Sequence, residues 1–391
     1  MLLLAGVLVS LLLVELGLRL AGISYPRLYL QDALVGSTFR PGISFQQHDE
    51  GNAFVEINSL GYRDVEWSQV KSSDTVRIAV LGDSFVAAIQ VDRQYMFTTL
   101  LEERLSACGA FGSLNVEVMN FGVSGYGTAQ EYLTLKGRVW PYAPDFVIVA
   151  FLTGNDILDN SAALKRRPGV PYFIYREGRL VLDTSSRKSK TAFRAIPRAI
   201  ARKLIDHFRV AQVVNRAYQT YFSRKASSAH RAPSDAIDPL EPGLHYFVYV
   251  PSADPNWHEA WDITEELLRK IRDEIIAHDA KMLVVTLTNS IQVDLDTERK
   301  RASLERLGTK DFSYPDLRIA AAGRRDGFPV FNLLEPFQQH AERNDRYLHG
   351  FVNSRLGIGH WNKDAHRLAA QLIAERIAAD VGQAPCPSDM D

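Results

Sequence analysis

Short, unbroken apolar runs alternate with stretches whose apolar residues recur at helical spacing, and this rhythm persists through most of the chain. The runs at 77–83, 116–122, 145–152, 282–288 and 329–333 predict strands. In the first, Ile78, Ala79, Val80 and Leu81 suit a strand covered on both faces. The stretches 96–107, 128–137, 257–279, 316–324 and 363–381 predict helices. Alternation of this kind predicts a three-layer α/β fold, a doubly wound and mostly parallel sheet with its site at the carboxyl ends of the strands.

Three regions break the rhythm. Leu2 to Val14 is apolar apart from Ser10, and the apolar stretch continues to Ile23, interrupted by Glu15 and Arg19. These two charges are four residues apart and would share a helix face. The stretch predicts an uncleaved anchor over residues 1–23, with the rest of the chain outside the cytoplasm. Residues 24–75 form a Pro/Gly-punctuated lead-in containing INSLGYRD, in which Asn58, Ser59, Leu60 and Gly61 predict a turn. Residues 161–256 read as an insertion, too long for an ordinary connection. Within it, YFIYREGRLVLD (172–183) alternates about Glu177-Gly178 and predicts a β-hairpin. Ala192 to Phe222 is basic and amphipathic, suiting an anionic membrane surface, a lid or a solvated helix face. Residues 223–240 read as a linker or loop.

Composition narrows the class. With 391 residues, 46% of them hydrophobic, the chain can bury a large core. A formal charge of −1 provides no global field for nucleic acid. Cys108 and Cys386 are too few for a disulfide framework or a zinc cluster, though one bridge is open to a protein outside the cytoplasm.

The candidate chemistry lies where the predicted strands end. The first runs into Gly82-Asp83-Ser84, a position for an exposed serine nucleophile or, alternatively, for a helix cap. Asp83 suits bracing that turn. The second strand ends in NFGVSGYG, where Gly125 either offers an N–H to an oxyanion or simply turns the chain. The third ends in FLTGNDILDN, where Asn155, one residue past Gly154, is either an amide donor or a helix cap. Near the carboxyl terminus, His360 in GIGHWN precedes the last helix as a candidate base, and His366 falls inside that helix.

These four blocks, in this order, resemble the SGNH/GDSL hydrolase family of serine esterases over about residues 75–160 and 280–382. The hydrophobic leader, INSLGYRD and the HGF…GHWN ending look like a subgroup of membrane-anchored bacterial members. The resemblance implies a flavodoxin-like sheet within residues 76–160 and 257–382, leaving a tail at 383–391. It implies Ser84 as nucleophile, His360 as general base, and Ser84, Gly125 and Asn155 as oxyanion donors, with Asp83 and Gly154 in support. It implies no metal and no cofactor. The family usually carries an aspartate three residues before the base, and here Gly357 stands in that place. The orienting acid is therefore unassigned, with Asp345 and Asp364 as guesses. The expected activity is ester hydrolysis through an acyl-enzyme, possible substrates including acetylated cell-envelope carbohydrate. The alternatives are O-acyl transfer to extracytoplasmic polysaccharide, or a catalytically weak glycan-binding or scaffold protein. Tyr246, Trp257 and Trp261 suit either sugar stacking or core packing.

Overall fold

The computed structural model describes residues 2–185, 195–229, 245–384 and 386. Eleven strands are present among them. Two hairpins lie in the lead-in, β1 (Tyr29–Asp32) with β2 (Gly36–Phe39), and β3 (Ser44–Gln47) with β4 (Ala53–Glu56). The main sheet comprises β5 (Thr75–Gly82), β6 (Asn115–Asn120), β7 (Phe146–Leu152), β10 (Lys281–Leu287) and β11 (Val330–Asn332). The predicted hairpin is β8 (Tyr172–Arg176) paired with β9 (Arg179–Asp183). Helices α1 (Leu2–Leu20), α2 (Ser84–Ala87), α3 (Phe97–Ala107), α4 (Thr128–Thr134), α5 (Asp156–Asp159) and α6 (Ala195–His207) are followed by α7 (Arg209–Ala229) and α8 (Pro255–Ile276). The chain continues through α9 (Thr297–Leu307), α10 (Tyr314–Asp326), α11 (Leu334–Asn344) and α12 (Lys363–Asp380).

The main sheet is wholly parallel, in the order β11-β10-β7-β5-β6. This is the flavodoxin-like order of a doubly wound α/β fold, and its topological switch lies between β5 and β7. Side chains along β5 alternate between two buried layers, and both are apolar. Ile78 and Val80 pack with Leu101 of α3 and Leu368 of α12, whereas Ala79 and Leu81 belong to the layer containing Leu267 and Ile271 of α8. Two-sided burial explains why the strand reads as a continuous apolar run rather than an alternating one.

Besides the one-turn helices α2 and α5, two helices had no predicted counterpart. Helix α9 buries only Ser303, so it carries no apolar periodicity to read. Helix α11 buries Leu334, Phe337 and Ala341, a short stripe partly masked by Pro336. Residues 223–229, expected in a linker, continue α7 instead; residues 230–240, most of the tail and residues 192–194 of the basic stretch lie outside the described residues. Tyr246, Trp257 and Trp261 are buried in the core, which removes them as sugar-stacking surfaces. Cys108 and Cys386 are disulfide-bonded across a separation of 278 residues. Helix α1 buries no residue and has a mean hydropathy of 2.2. At 1.5 Å per residue its 19 residues extend about 28 Å, close to the thickness of a bilayer's hydrocarbon core.

Candidate active site

Strands β6, β5 and β7 are neighbours, so the chain segments leaving their carboxyl ends emerge side by side. Ser84 follows the central strand, Gly125 lies on the loop after β6, and Asn155 follows β7. The topological switch thus brings Ser84 and Asn155, about seventy residues apart in sequence, to one common neighbour, Asp83.

Asp83, fully buried, caps α2 by accepting the Phe85 N–H at 2.9 Å. The helix-capping alternative therefore falls to Asp83 and leaves Ser84 in the first helical turn. The other Asp83 oxygen accepts the Asn155 side-chain amide at 3.2 Å and lies 3.4 Å from the Ser84 hydroxyl. Asn155 makes no side-chain cap on α5, despite occupying the capping position. Its amide nitrogen is aimed back at the Ser84 turn.

His360 Nε2 lies 2.9 Å from Ser84 Oγ. Its Nδ1 lies 2.6 Å from Oε2 of Glu50, and its backbone N–H donates to Oε1 of the same carboxylate at 2.7 Å. Glu50 thus stands beside the imidazole, where neither Asp345 nor Asp364 is found. It sits in the connection between β3 and β4, 310 residues from His360 in sequence. Burial alone would raise its carboxyl, but the hydrogen bonds and charge of His360 outweigh this and hold it below the usual carboxylate range. Neither Asp345 nor Asp364 fills the role. Asp345 ends α11 in a left-handed conformation, and Asp364 pairs with Arg367 and Arg346.

The glycines around His360 shape this contact. Gly359 has φ +99°, and a Cβ there would lie 2.1 Å from Glu50 Oε1; its lack of a side chain lets the carboxylate reach the backbone. Gly357 has φ +76°, and a Cβ there would meet Tyr347 at 2.9 Å and Asp294 at 3.0 Å. An aspartate at 357 would be strained and would collide. The Glu50 connection is fastened from the opposite side by Asn353. This side chain donates to the carbonyls of His48 and Gly51 and accepts the Gly51 N–H.

Buried groups hold these segments in place. His349 is pushed down to about 4 by burial, so it stays neutral and donates Nδ1–H to the Gly359 carbonyl at 2.7 Å. Trp361 donates its indole N–H to Thr288. The INSLGYRD stretch also takes part: Asn58 closes the expected turn, and the buried Arg63 donates to the carbonyls of Ala87, Ala88 and Val91 at the end of α2. Asp64 accepts the Asn120 N–H at the end of β6. His366 is buried in the core, pushed down to about 3, and accepts the Phe97 N–H. Behind Ser84, the fully buried Glu131 and Asp156 are raised by burial and then by the charge of nearby acids, Asp83 among them. No cluster suited to a metal ion occurs among the described residues.

The arrangement combines a hydroxyl, an imidazole and a carboxylate in hydrogen-bonded sequence at the switch point of a parallel sheet. The resemblance to SGNH/GDSL hydrolases implies roles for the serine and the histidine, and the carboxylate beside them comes from a part of the chain outside that resemblance. No protein-family model and no curated protein matches this chain. Among solved structures, it is similar to an acetyl xylan esterase at 13% identity and a TM-score of 0.40, covering 78% of this chain and 100% of the other. It is similar to a GDSL-like lipase from Bacteroides thetaiotaomicron at 10% identity and TM-score 0.36, covering 80% and 93%. A two-domain esterase active on acetylated mannans gives 11% identity and TM-score 0.40, covering 81% of this chain and 53% of that protein. Overlaps this loose carry no argument about activity.

Proposed function

We propose that this chain is a serine ester hydrolase working through an acyl-enzyme, with Ser84, His360 and Glu50 as its triad. The observation that carries the reading is the unbroken relay from Glu50 Oε2 through the His360 imidazole to Ser84 Oγ, with contacts of 2.6 and 2.9 Å. A hydroxyl needs a base to become a useful nucleophile, and the base needs a fixed tautomer. Glu50 fixes the proton on Nδ1, leaving the Nε2 lone pair for Ser84. As Oγ attacks the ester carbonyl carbon, its proton passes to Nε2 and the imidazolium forms against the Glu50 carboxylate. The N–H groups of Ser84 and Gly125 and the Asn155 amide receive the developing oxyanion. Collapse breaks the bond to the leaving alcohol, which takes the proton from His360. Water, deprotonated by the same imidazole, then releases the acid and restores Ser84.

The site requires no cofactor for these steps. Completion of the triad by Glu50 favours an enzyme over a protein that only binds glycan, because binding has no use for an ordered base beside a serine. Helix α1 suits a membrane anchor, and the Cys108–Cys386 bridge suits an oxidising compartment; together they support an anchored, extracytoplasmic enzyme. An open hollow of ≈740 Å³ adjoins the Glu50 connection, lined by polar Asn52, Gln90 and Asn353 beside apolar Phe351, Val352 and Leu356. His48, Lys363 and Asp364 also line it, and Ser84 and His360 do not, so the substrate class we infer, acetylated envelope glycan, rests on the anchored, extracytoplasmic reading. Labelling of the full chain by a fluorophosphonate probe tests the mechanism, with Ser84→Ala as control. Labelling that disappears in the variant supports it, and a folded wild-type protein that resists the probe refutes it. Acetate release from acetylated xylooligosaccharide then tests the substrate class.

A further inference from the structure

The proposed mechanism leaves α6 and α7 without a role, and their chemistry is unusual for a solvated insertion. One side of this helical pair is fastened to the rest of the protein. Asp206 pairs with Arg27 and Arg40, both at 2.7 Å, and Gln212 accepts the Tyr25 N–H at 2.8 Å. Arg216 pairs with Asp49 and lies over the Tyr25 ring. The opposite side carries Leu204, Phe208, Tyr218 and Phe222 at helical spacing, with Val214 and Tyr221 beside them. All six are between 46% and 63% exposed, and Phe222 packs on both Tyr218 and Tyr221, an apolar concentration of the kind soluble surfaces avoid.

The position of this face relative to α1 identifies what covers it. Glu15 and Arg19, the two charges of α1, lie in its last two turns and pair with each other at 2.7 Å. They also reach the junction between α6 and α7: Arg19 donates to the His207 carbonyl at 2.7 Å, and Glu15 accepts the Val210 N–H at 3.0 Å. Charges at the end of a spanning helix belong at the boundary between hydrocarbon and headgroups. A helix pair bonded to those charges lies at the same depth. The charge balance agrees, since residues 195–222 contain Arg198, Arg202, Lys203, Arg209 and Arg216 against a single acid, Asp206, which is already paired. Tyrosines on the apolar face suit the interfacial zone as well.

We propose that α6 and α7 lie in the headgroup region of an anionic phospholipid bilayer, with Leu204, Phe208, Val214, Tyr218, Tyr221 and Phe222 turned toward the lipid. The inference rests on reading α1 as a membrane anchor. It makes the pair a platform at the membrane surface rather than a lid over the site. Through the Arg216–Asp49 pair, the connection bearing Glu50 hangs from that platform, which sets the catalytic apparatus close to the membrane.

The test uses the full chain in vesicles of phosphatidylcholine containing phosphatidylglycerol, with single cysteines carrying an environment-sensitive fluorophore. Because Cys108 and Cys386 are bonded to each other, an introduced cysteine is the one free thiol. Val214→Cys, Tyr218→Cys and Phe222→Cys report on α7, Leu8→Cys on α1, and Val70→Cys, 83% exposed, on the body. Spin-labelled lipid should quench the α1 reporter deeply and the three α7 reporters at shallow depth, while leaving Val70→Cys unquenched. Arg202→Glu combined with Lys203→Glu should reduce α7 quenching by about half, without changing the α1 signal. Quenching at Leu8 with water-like, unquenched α7 reporters would overturn the proposal and leave the anchor standing, assigning the face to a protein partner or a second copy. No quenching at Leu8 would overturn the anchor reading and this inference with it.

Discussion

Replacing Glu50 by glutamine is the sharpest perturbation of the relay, because it preserves shape and removes one charge and one acceptor. In the native site, Oε2 takes the His360 Nδ1 proton and Oε1 takes the His360 backbone proton. A glutamine has one acceptor oxygen for these two donors. If its oxygen keeps the backbone N–H, its NH₂ faces Nδ1 and drives the imidazole proton onto Nε2, where it blocks transfer from Ser84. If the oxygen faces Nδ1 instead, NH₂ meets the backbone N–H donor to donor. Either arrangement also leaves the imidazolium without its counter-charge. At an effective dielectric of about 20 and a charge separation of about 4 Å, that charge is worth about 4 kcal/mol. The side chains of His360 and Glu50 are 28% and 20% exposed, so intermediate screening is appropriate. The tautomer penalty adds to this, and the expected fall in kcat is roughly 10³- to 10⁴-fold, or about 4–5.5 kcal/mol. Steady-state hydrolysis of p-nitrophenyl acetate measures kcat and KM, the rate of fluorophosphonate labelling gives an independent reading of serine activation, and circular dichroism checks the fold. A folded Glu50→Gln protein retaining kcat within about threefold of wild type would refute Glu50 as the orienting acid.

Asn155→Ala should lower kcat about a hundredfold with little change in KM; an unchanged kcat would remove Asn155 from the oxyanion site. Gly359→Ala puts a methyl group against Glu50 Oε1 and should approach the Glu50→Gln rate loss while lowering stability by about 1–2 kcal/mol. Wild-type kinetics in Gly359→Ala would show that Glu50 need not reach the His360 backbone. Asp316 is fully buried, with its carboxyl pushed up to about 7 by burial and only partly relieved by hydrogen bonds from Gln292 and Thr286. The unfolded chain releases this proton near pH 4 and the folded protein retains it, so stability falls as pH rises from about 4 to 7, by up to about 4 kcal/mol. Urea unfolding across that range should show this loss, and Asp316→Asn should flatten it; parallel stability profiles for the two proteins would contradict the assignment.

The elements legible in the sequence are those whose signal is local. A strand covered on both faces must be apolar at successive positions, so β5, β6, β7 and β10 declared themselves, and the candidate positions Ser84, Gly125 and Asn155 could be named because a parallel sheet presents its strand ends together. His360 was legible for a similar reason, from its place just before a strongly patterned last helix. Helix α9, polar almost throughout, had no such pattern to offer. Glu50 was beyond sequence reasoning on physical grounds: a carboxylate becomes an orienting acid only through its distance to an imidazole, and hairpin packing brings those groups together across 310 residues. The sequence did carry a trace of this arrangement in Gly357, which stands where the resemblance would put the aspartate, and in Gly359 beside the imidazole. Their backbone angles and the carboxylate pressed against Gly359 turn that trace into an explanation. The apolar face of α6 and α7 follows the same division, since amphipathicity is written in residue spacing, but which side meets the protein was decided by Asp206, Gln212 and Arg216 finding their partners in the lead-in.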